Sequence, residues 1–305
     1  MTTKLLPLEE LGSVVHDGQS VALGGAWLCN HPMAAVRQLV RAGRKDLHLY
    51  SLIGSIDVDL LLAAGAVSHL TFSMVTLEAF GLAPNLRRQV EHGDLQITEL
   101  TGLSMEVALE AAGRNVPFLP YPALGRPETS DLVRANPGIY THVADPFVGG
   151  EVLVVRALRP DVTIVHALRA DRDGNAQFDG TFGIDDVLAK VPGTVIVTCE
   201  EIVPREVIVK TAHMTKVPGY LVDHLIEAPF GAHPTSHVPC YSLDAPEMLD
   251  YAQAAGAGEE AQASYVERIR RETEEDYRTR VLSGGRDLVL AELVRQGRIL
   301  GSISA

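Results

Sequence analysis

The residues best suited to chemistry begin near the start of the chain. Gly24 and Gly25 follow the apolar run Ser20–Leu23 and lead through Ala26, Trp27 and Cys29 into Asn30, His31 and Pro32. A glycine pair lets the backbone approach a ligand with no Cβ in the way. Successive N–H groups in such a turn can cradle a developing oxyanion. The same residues also suit a plain strand-to-helix turn, with Asn30 as N-cap and Pro32 in the first helical turn. Glu99 ends the run Leu95–Leu100 just before Thr101-Gly102. There it is either a general base in a crevice or a solvated strand-end acid. Glu106 reads as a first-turn charge favoured by the helix dipole.

Other candidates are scattered. Glu78 opens a loop that Gly81 and Pro84 interrupt before Arg87 and Arg88. An arginine there can bind a carboxylate or end a solvated helix. His31, His166 and His233 stand singly, and His31 gains interest from the neighbouring glycines. Trp27, the single Trp, would form an apolar wall in a pocket or in a subunit contact. The P-loop, G-x-G-x-x-G and H-E-x-x-H patterns do not occur, and no metal site is expected. Gly102-Leu103-Ser104-Met105-Glu106 lacks the second glycine of a nucleophile elbow. Asp171-Arg172-Asp173-Gly174-Asn175 hints at a calcium loop, but its Gly falls early and Phe182 stands where a bidentate Glu is needed. It reads as a tight turn.

The elements that must position these residues alternate between two periods. Ser20–Leu23, Leu47–Ile53, Leu70–Val75, Leu95–Leu100, Val162–Leu168 and Thr194–Thr198 are β-rich. Pro32–Ala42, Asp57–Ala66 and Leu103–Ala112 have helical spacing. Strands alternating with helices imply an open α/β fold, a mostly parallel sheet with helices on both faces. Residues 116–150 hold Pro117, Pro120, Pro122, Pro127, Pro137 and Pro146, a composition for a surface excursion or a linker. Residues 241–305 form a helical tail, with Ala252–Ala263 as a solvated connector and Ser264–Leu282 as an amphipathic helix.

The chain has 305 residues, 46% of them apolar and 21% charged. That composition excludes a disordered chain, a fibre and a disulfide scaffold. Its 26 basic and 39 acidic residues give a net charge of −13, which disfavours nucleic acid or an anionic membrane as the main partner. Cys29, Cys199 and Cys240 form no C-x-x-C, so a reducing compartment is expected. No long apolar core precedes Glu9 and Glu10, so a signal peptide is not expected, and no run is long enough to span a bilayer. A cytoplasmic protein is therefore expected.

Gly24-Gly25-Ala26-Trp27-Leu28-Cys29 followed by Pro32 resembles the G-G-F-G-L-C-G-x-P segment of the A-type subunits of family I coenzyme A transferases. Ala26 stands in place of Phe and Asn30 in place of Gly. Val116–Pro120, Asp145–Val152, Ala157–Val162, His166–Ala176 and Glu227–Pro234 resemble further family segments in the same order. The similarity is greatest to the branch holding glutaconate CoA-transferase and the steroid-ring-opening acyl-CoA hydrolases. It implies a NagB-like α/β fold in one domain over residues 1–305 and an oxyanion and acyl pocket at Gly24, Gly25, Ala26 and Trp27. Asn30, His31, Glu78 and Arg87 become substrate-binding candidates. It also implies coenzyme A as substrate rather than a permanently bound cofactor.

In this family the nucleophile is a Glu on a B-type subunit, within an S-E-N-G-like motif that these 305 residues lack. The resemblance thus implies a separate B-type partner in an αβ or α2β2 assembly. In the hydrolase branch a Glu near position 99 takes part in the chemistry and a second Glu often follows three residues later, where this chain has Gly102. The expectations are therefore CoA transfer with a partner's Glu, hydrolysis by water with Glu99 as catalytic residue, or, in a different class, a non-catalytic metabolite-binding module.

Overall fold

Val162–Ala170 is buried at every position, and a strand covered on both faces demands a layer of helices on each side. The computed structural model provides those layers. It describes residues 3–121, 131–180 and 183–283. In chain order the first half runs β1 (Ser20–Leu23), α1 (Met33–Arg41), β2 (Leu47–Gly54), α2 (Ile56–Ala63), β3 (Val67–Val75), α3 (Pro84–His92), β4 (Gln96–Glu99) and α4 (Gly102–Gly113). Next come β5 (Phe118–Pro120), α5 (Asp131–Ala135), β6 (Tyr140–Ala144), β7 (Glu151–Arg156), β8 (Val162–Ala170), β9 (Ala176–Gln177), α6 (Asp185–Leu188) and β10 (Thr194–Ile202). The chain continues through α7 (Arg205–Lys210), β11 (Thr215–Val217), β12 (His224–Glu227), α8 (Ala245–Gly256), α9 (Glu259–Arg271) and α10 (Glu274–Val281).

The main sheet is parallel across β12-β10-β8-β1-β2-β3-β4. Short β9 and β11 extend β8 in the antiparallel sense at its far end. One face packs Val21, Leu23, Leu49, Ile164 and Ile196 against α1, α2 and the C-terminal helices. The other face packs Ala22, Val165, Val195 and Val197 against α4 and α6. Alternation along each strand thus feeds two cores, as a sheet buried on both sides requires. No helix among the described residues is long and apolar enough to cross a membrane.

The proline-rich stretch has regular structure of its own. β5, β7 and β6 form a small antiparallel sheet. Its prolines stay out of the paired interior: Pro120 ends the edge strand β5, and Pro137 and Pro146 lie in turns. Pro122 and Pro127 lie outside the described residues, as does Phe182. The tail differs in its breaks. Ala252–Ala263 is mostly helix, because Ala and Glu are strong helix formers, and it breaks only at Ala257-Gly258, where Gly258 takes φ 114°. Ser264–Leu282 is two helices rather than one, since Thr273 starts α10 with a capping box to Asp276. The tail beyond residue 283 lies outside the described residues. Asp173-Gly174 forms the expected turn, with Gly174 at φ 89° and the Asp171 carboxylate accepting from the N–H groups of Asp173 and Asn175.

A buried arginine fastens the tail to the sheet. Arg37 on α1 is 1% exposed. Its Nε donates to both Glu274 carboxylate oxygens at 3.1 and 3.0 Å, its Nη1 donates to the His233 carbonyl at 2.6 Å, and the guanidinium lies 3.8 Å from the centre of the Tyr277 ring. Removing one member of a buried pair leaves an uncompensated charge. Glu274→Ala should therefore destabilise the protein by about 3–5 kcal/mol in urea unfolding. Glu91→Ala, which breaks the exposed Arg87–Glu91 pair, should leave the midpoint where it was. Equal effects of the two substitutions would contradict this reading.

Candidate active site at the carboxyl edge of the sheet

The turn after β1 is held by its own backbone. The Gly24 N–H donates to Ile164 O, and Ala26 and Cys29 exchange N–H···O bonds at 3.0 Å across Trp27-Leu28. Gly25 takes φ 86°, and a Cβ there would lie 2.7 Å from the His31 nitrogen. Trp27 and Asn30 also have positive φ, 54° and 58°, conformations that L-residues adopt only when surrounding contacts hold them. The N–H groups of Gly24, Gly25 and Ala26 are thus engaged internally. Those of Trp27 and Leu28 have no acceptor among the described residues. Trp27 is 47% exposed at the tip of the turn.

Side chains under the turn supply the holding contacts. His31 is fully buried, and its Nε2–H donates to Trp27 O at 2.7 Å. Its Nδ1 lies 3.0 Å from Asp57 Oδ2 on α2, an ionic contact off the line of a hydrogen bond. Burial alone would lower the His31 pKa, but Asp57, the Trp27 carbonyl and Asp185 together raise it. Asp185 Oδ1, from α6, accepts the Gly25 N–H at 2.8 Å, and a Cβ on Gly24 would lie 2.5 Å from that same oxygen. Gly24 is therefore needed because the buried Asp185 carboxyl group occupies the space of a side chain.

A second buried cluster adjoins the first. His166 on β8 places Nε2 2.8 Å from Glu200 Oε1 on β10 and Nδ1 2.9 Å from Thr198 Oγ1. Glu200 also accepts from the Tyr241 hydroxyl at 2.6 Å and from the N–H groups of Phe230 and Gly231. Burial pushes the Glu200 pKa up, but His166, His237 and Tyr241 outweigh it and hold the carboxyl below its ordinary value. His237 donates Nδ1–H to Asn30 Oδ1 at 2.8 Å. The segment 228–241 also clamps the glycine turn by backbone bonds, Asn30 N–H to Ser236 O and Ser236 N–H to Leu28 O, each 2.8 Å. His166, Glu200 and His237 together form a metal-competent donor set.

The remaining candidates share the edge without sharing the cluster. Leu23, Ser51, Phe72 and Glu99 fall in one row across β1 to β4. Glu99 thus leaves the sheet at the same edge as the glycine turn, three strand spacings or about 14 Å away. Its side chain is exposed, and its carbonyl accepts from Asn136 Nδ2. Glu78 is exposed at φ 55° after β3, and Arg87 is exposed on α3, paired with Glu91. Neither contacts the turn. Asn30 and His31 sit within its support, both buried. His233 is buried too, bound to Tyr277 and Asp244. Sequence reasoning does not single out Asp57, Asp185, Glu200 or His237. Their partners lie far away in the chain, and no local pattern marks them.

Residues 8–228 match the family described as Coenzyme A transferase. The chain is 34% identical to a protein of Archaeoglobus fulgidus over 88% of its own length, and it spans 59% of that relative. It is also 34% identical to the A-type chain of 3-oxoadipate CoA-transferase from Pseudomonas knackmussii, over 79% of this chain and 84% of that one. The crystal structure of glutaconate coenzyme A-transferase from Acidaminococcus fermentans superposes with a TM-score of 0.86 at 26% identity, covering 94% of this chain and 95% of the other.

The Asp185 contact makes stability depend on pH. Burial, only partly offset by the Gly25 N–H and by His31, raises its pKa to about 8. The folded state then keeps a proton that the unfolded chain sheds near pH 4. Stability due to this group falls as pH climbs from about 4 to about 8 and is flat above. Asp185→Asn keeps an acceptor for Gly25 and cannot ionise. Its Tm relative to the native chain should therefore rise steadily from pH 5 to pH 8.5, and a difference independent of pH would show that Asp185 ionises normally.

Proposed function

The chain belongs to the coenzyme A transferase family as an A-type member, and on that premise we propose that it is one half of a heteromeric enzyme moving CoA between an acyl-CoA and a carboxylic acid. A B-type partner supplies the nucleophilic Glu. Attack of its carboxylate on the thioester carbonyl forms a tetrahedral oxyanion, and collapse expels CoA thiolate and leaves an acyl–glutamyl anhydride. The thiolate then attacks the glutamyl carbonyl, releasing the first acid and leaving a glutamyl-CoA thioester, which the acceptor acid resolves in the reverse order. This chain contributes the surface on which the oxyanion forms.

The observation that carries this reading is the strained turn 24–30, held at the carboxyl edge, with two backbone N–H groups that have no acceptor among the described residues. Donors fixed before the reaction stabilise developing charge without reorganisation. Within the expected pocket of Gly24, Gly25, Ala26 and Trp27, we assign the donor role to the N–H groups of Trp27 and Leu28. The glycines shape the turn and Trp27 walls the acyl group. Asn30 and His31 act as positioning residues beneath it. Glu78 and Arg87 remain candidates for the distal end of the substrate, and coenzyme A enters as substrate. An αβ unit, single or doubled, is the expected assembly, and the cytoplasm its expected compartment.

Co-expression with a B-type chain carrying an S-E-N-G-like segment should give a stable complex that exchanges CoA only when an acceptor acid is present. Borohydride should trap its thioester on the partner. A lone chain that turns over acyl-CoA by itself would overturn the two-chain reading. Thioester hydrolysis with no acceptor requirement would assign the complex to the hydrolase branch, and ligand binding without turnover by any such complex would leave a metabolite-binding module. Glu99→Gln separates the residue's roles. As a general base it should lower kcat by about 10²–10⁴-fold with Tm unchanged, because the side chain is exposed. An unaltered kcat would remove Glu99 from the chemistry.

A further inference from the structure

The buried cluster beneath the glycine turn has a proton inventory that favours a cation. The Thr198 hydroxyl donates to Val165 O, so its oxygen accepts from His166 Nδ1–H. In the neutral ring that leaves His166 Nε2 as a lone pair facing the Glu200 carboxylate, acceptor against acceptor. His237 donates Nδ1–H to Asn30 Oδ1, so its Nε2 is also a lone pair. That atom is buried, on a side chain with 0% exposure, and has no hydrogen-bond partner. An unpaired buried acceptor is costly. The two rings meet edge to face at 4.8 Å, and one donor atom from each of His166, Glu200 and His237 lies within 4.8 Å of the others.

The geometry points to a zinc-type divalent transition-metal site formed by His166 Nε2, Glu200 Oε1 and His237 Nε2. Two imidazoles and one carboxylate suit Zn²⁺. Each ligand already has the outer partner that fixes a metal-binding side chain: Thr198 on His166, Asn30 on His237, and Tyr241 with the Phe230 amide on Glu200. Metal–ligand bonds of about 2.1 Å place tetrahedral donors about 3.4 Å apart, so binding draws the His237 ring inward. If His166 is protonated before binding, the ion replaces that proton and releases it. The site is independent of the acyl-transfer reading. Its consequence is structural: it would tie the segment 228–241 to β8 and β10 and, through Asn30, stiffen the glycine turn.

The test uses the full chain, stripped with a chelator, dialysed against excess Zn²⁺ and desalted. Elemental analysis should find about one zinc per chain, falling at least tenfold in His237→Ala. Zn²⁺ should raise the Tm of the stripped native chain by several degrees and leave that of the variant unchanged. Co²⁺ in place of Zn²⁺ should give the intense visible bands of a tetrahedral N/O site. Retention below a tenth of an equivalent by the folded native chain would overturn the proposal. So would equal retention by His237→Ala.

Discussion

The glycine turn at the carboxyl edge rests on a buried imidazole, His31, held beside two buried acids. His31 sits between Asp57 and Asp185, with its second ring nitrogen on the Trp27 carbonyl. These groups come from α2, α6 and the turn itself. Together with the backbone bonds of the turn they hold Trp27 at a positive φ that such a bulky residue rarely takes. Gly24 and Gly25 are the only residues that fit, one because Asp185 fills the space of its side chain and one because the His31 backbone does.

The same logic extends outward. α1 begins where the strained turn ends, and its Arg37 carries a second buried charge to Glu274. The C-terminal helices are thereby registered against the helix that supports the site. On the other side, Glu200 collects donors from β8 and from the segment 228–241, and that segment pairs with the turn. Two long-range buried polar networks meet the short glycine turn, one through His31 and Asp185 and one through His237. Such networks are destabilising when half satisfied and rigidifying when complete, which suits the donor role proposed for the loop.

Much of this was legible in the sequence where the determinant is local. The strands β1, β2, β8 and β10 and the helices α1 and α4 announce themselves by period, and the glycine turn by composition. The family segments fixed the fold class. What the sequence did not reveal depends on partners far away in the chain. β12 is only His224–Glu227 and is recognisable by its pairing with β10. Asp185 meets Gly25 across 160 residues, and His237 meets Asn30 across 207. Composition also misled locally. Prolines at strand ends and in turns disguised a small sheet, and an Ala/Glu-rich connector is helix on either side of a short break after Gly256.

The central claim is that the glycine turn lines a shared acyl-CoA site. Trp27 is the single Trp of the chain and stands at the tip of that turn. With 5-fluorotryptophan incorporated into this chain alone, the complex with a B-type partner gives one ¹⁹F resonance. The account predicts that this resonance shifts when the partner binds and shifts again when acyl-CoA is added. A resonance unmoved by both, in a complex that turns over acyl-CoA, would contradict it.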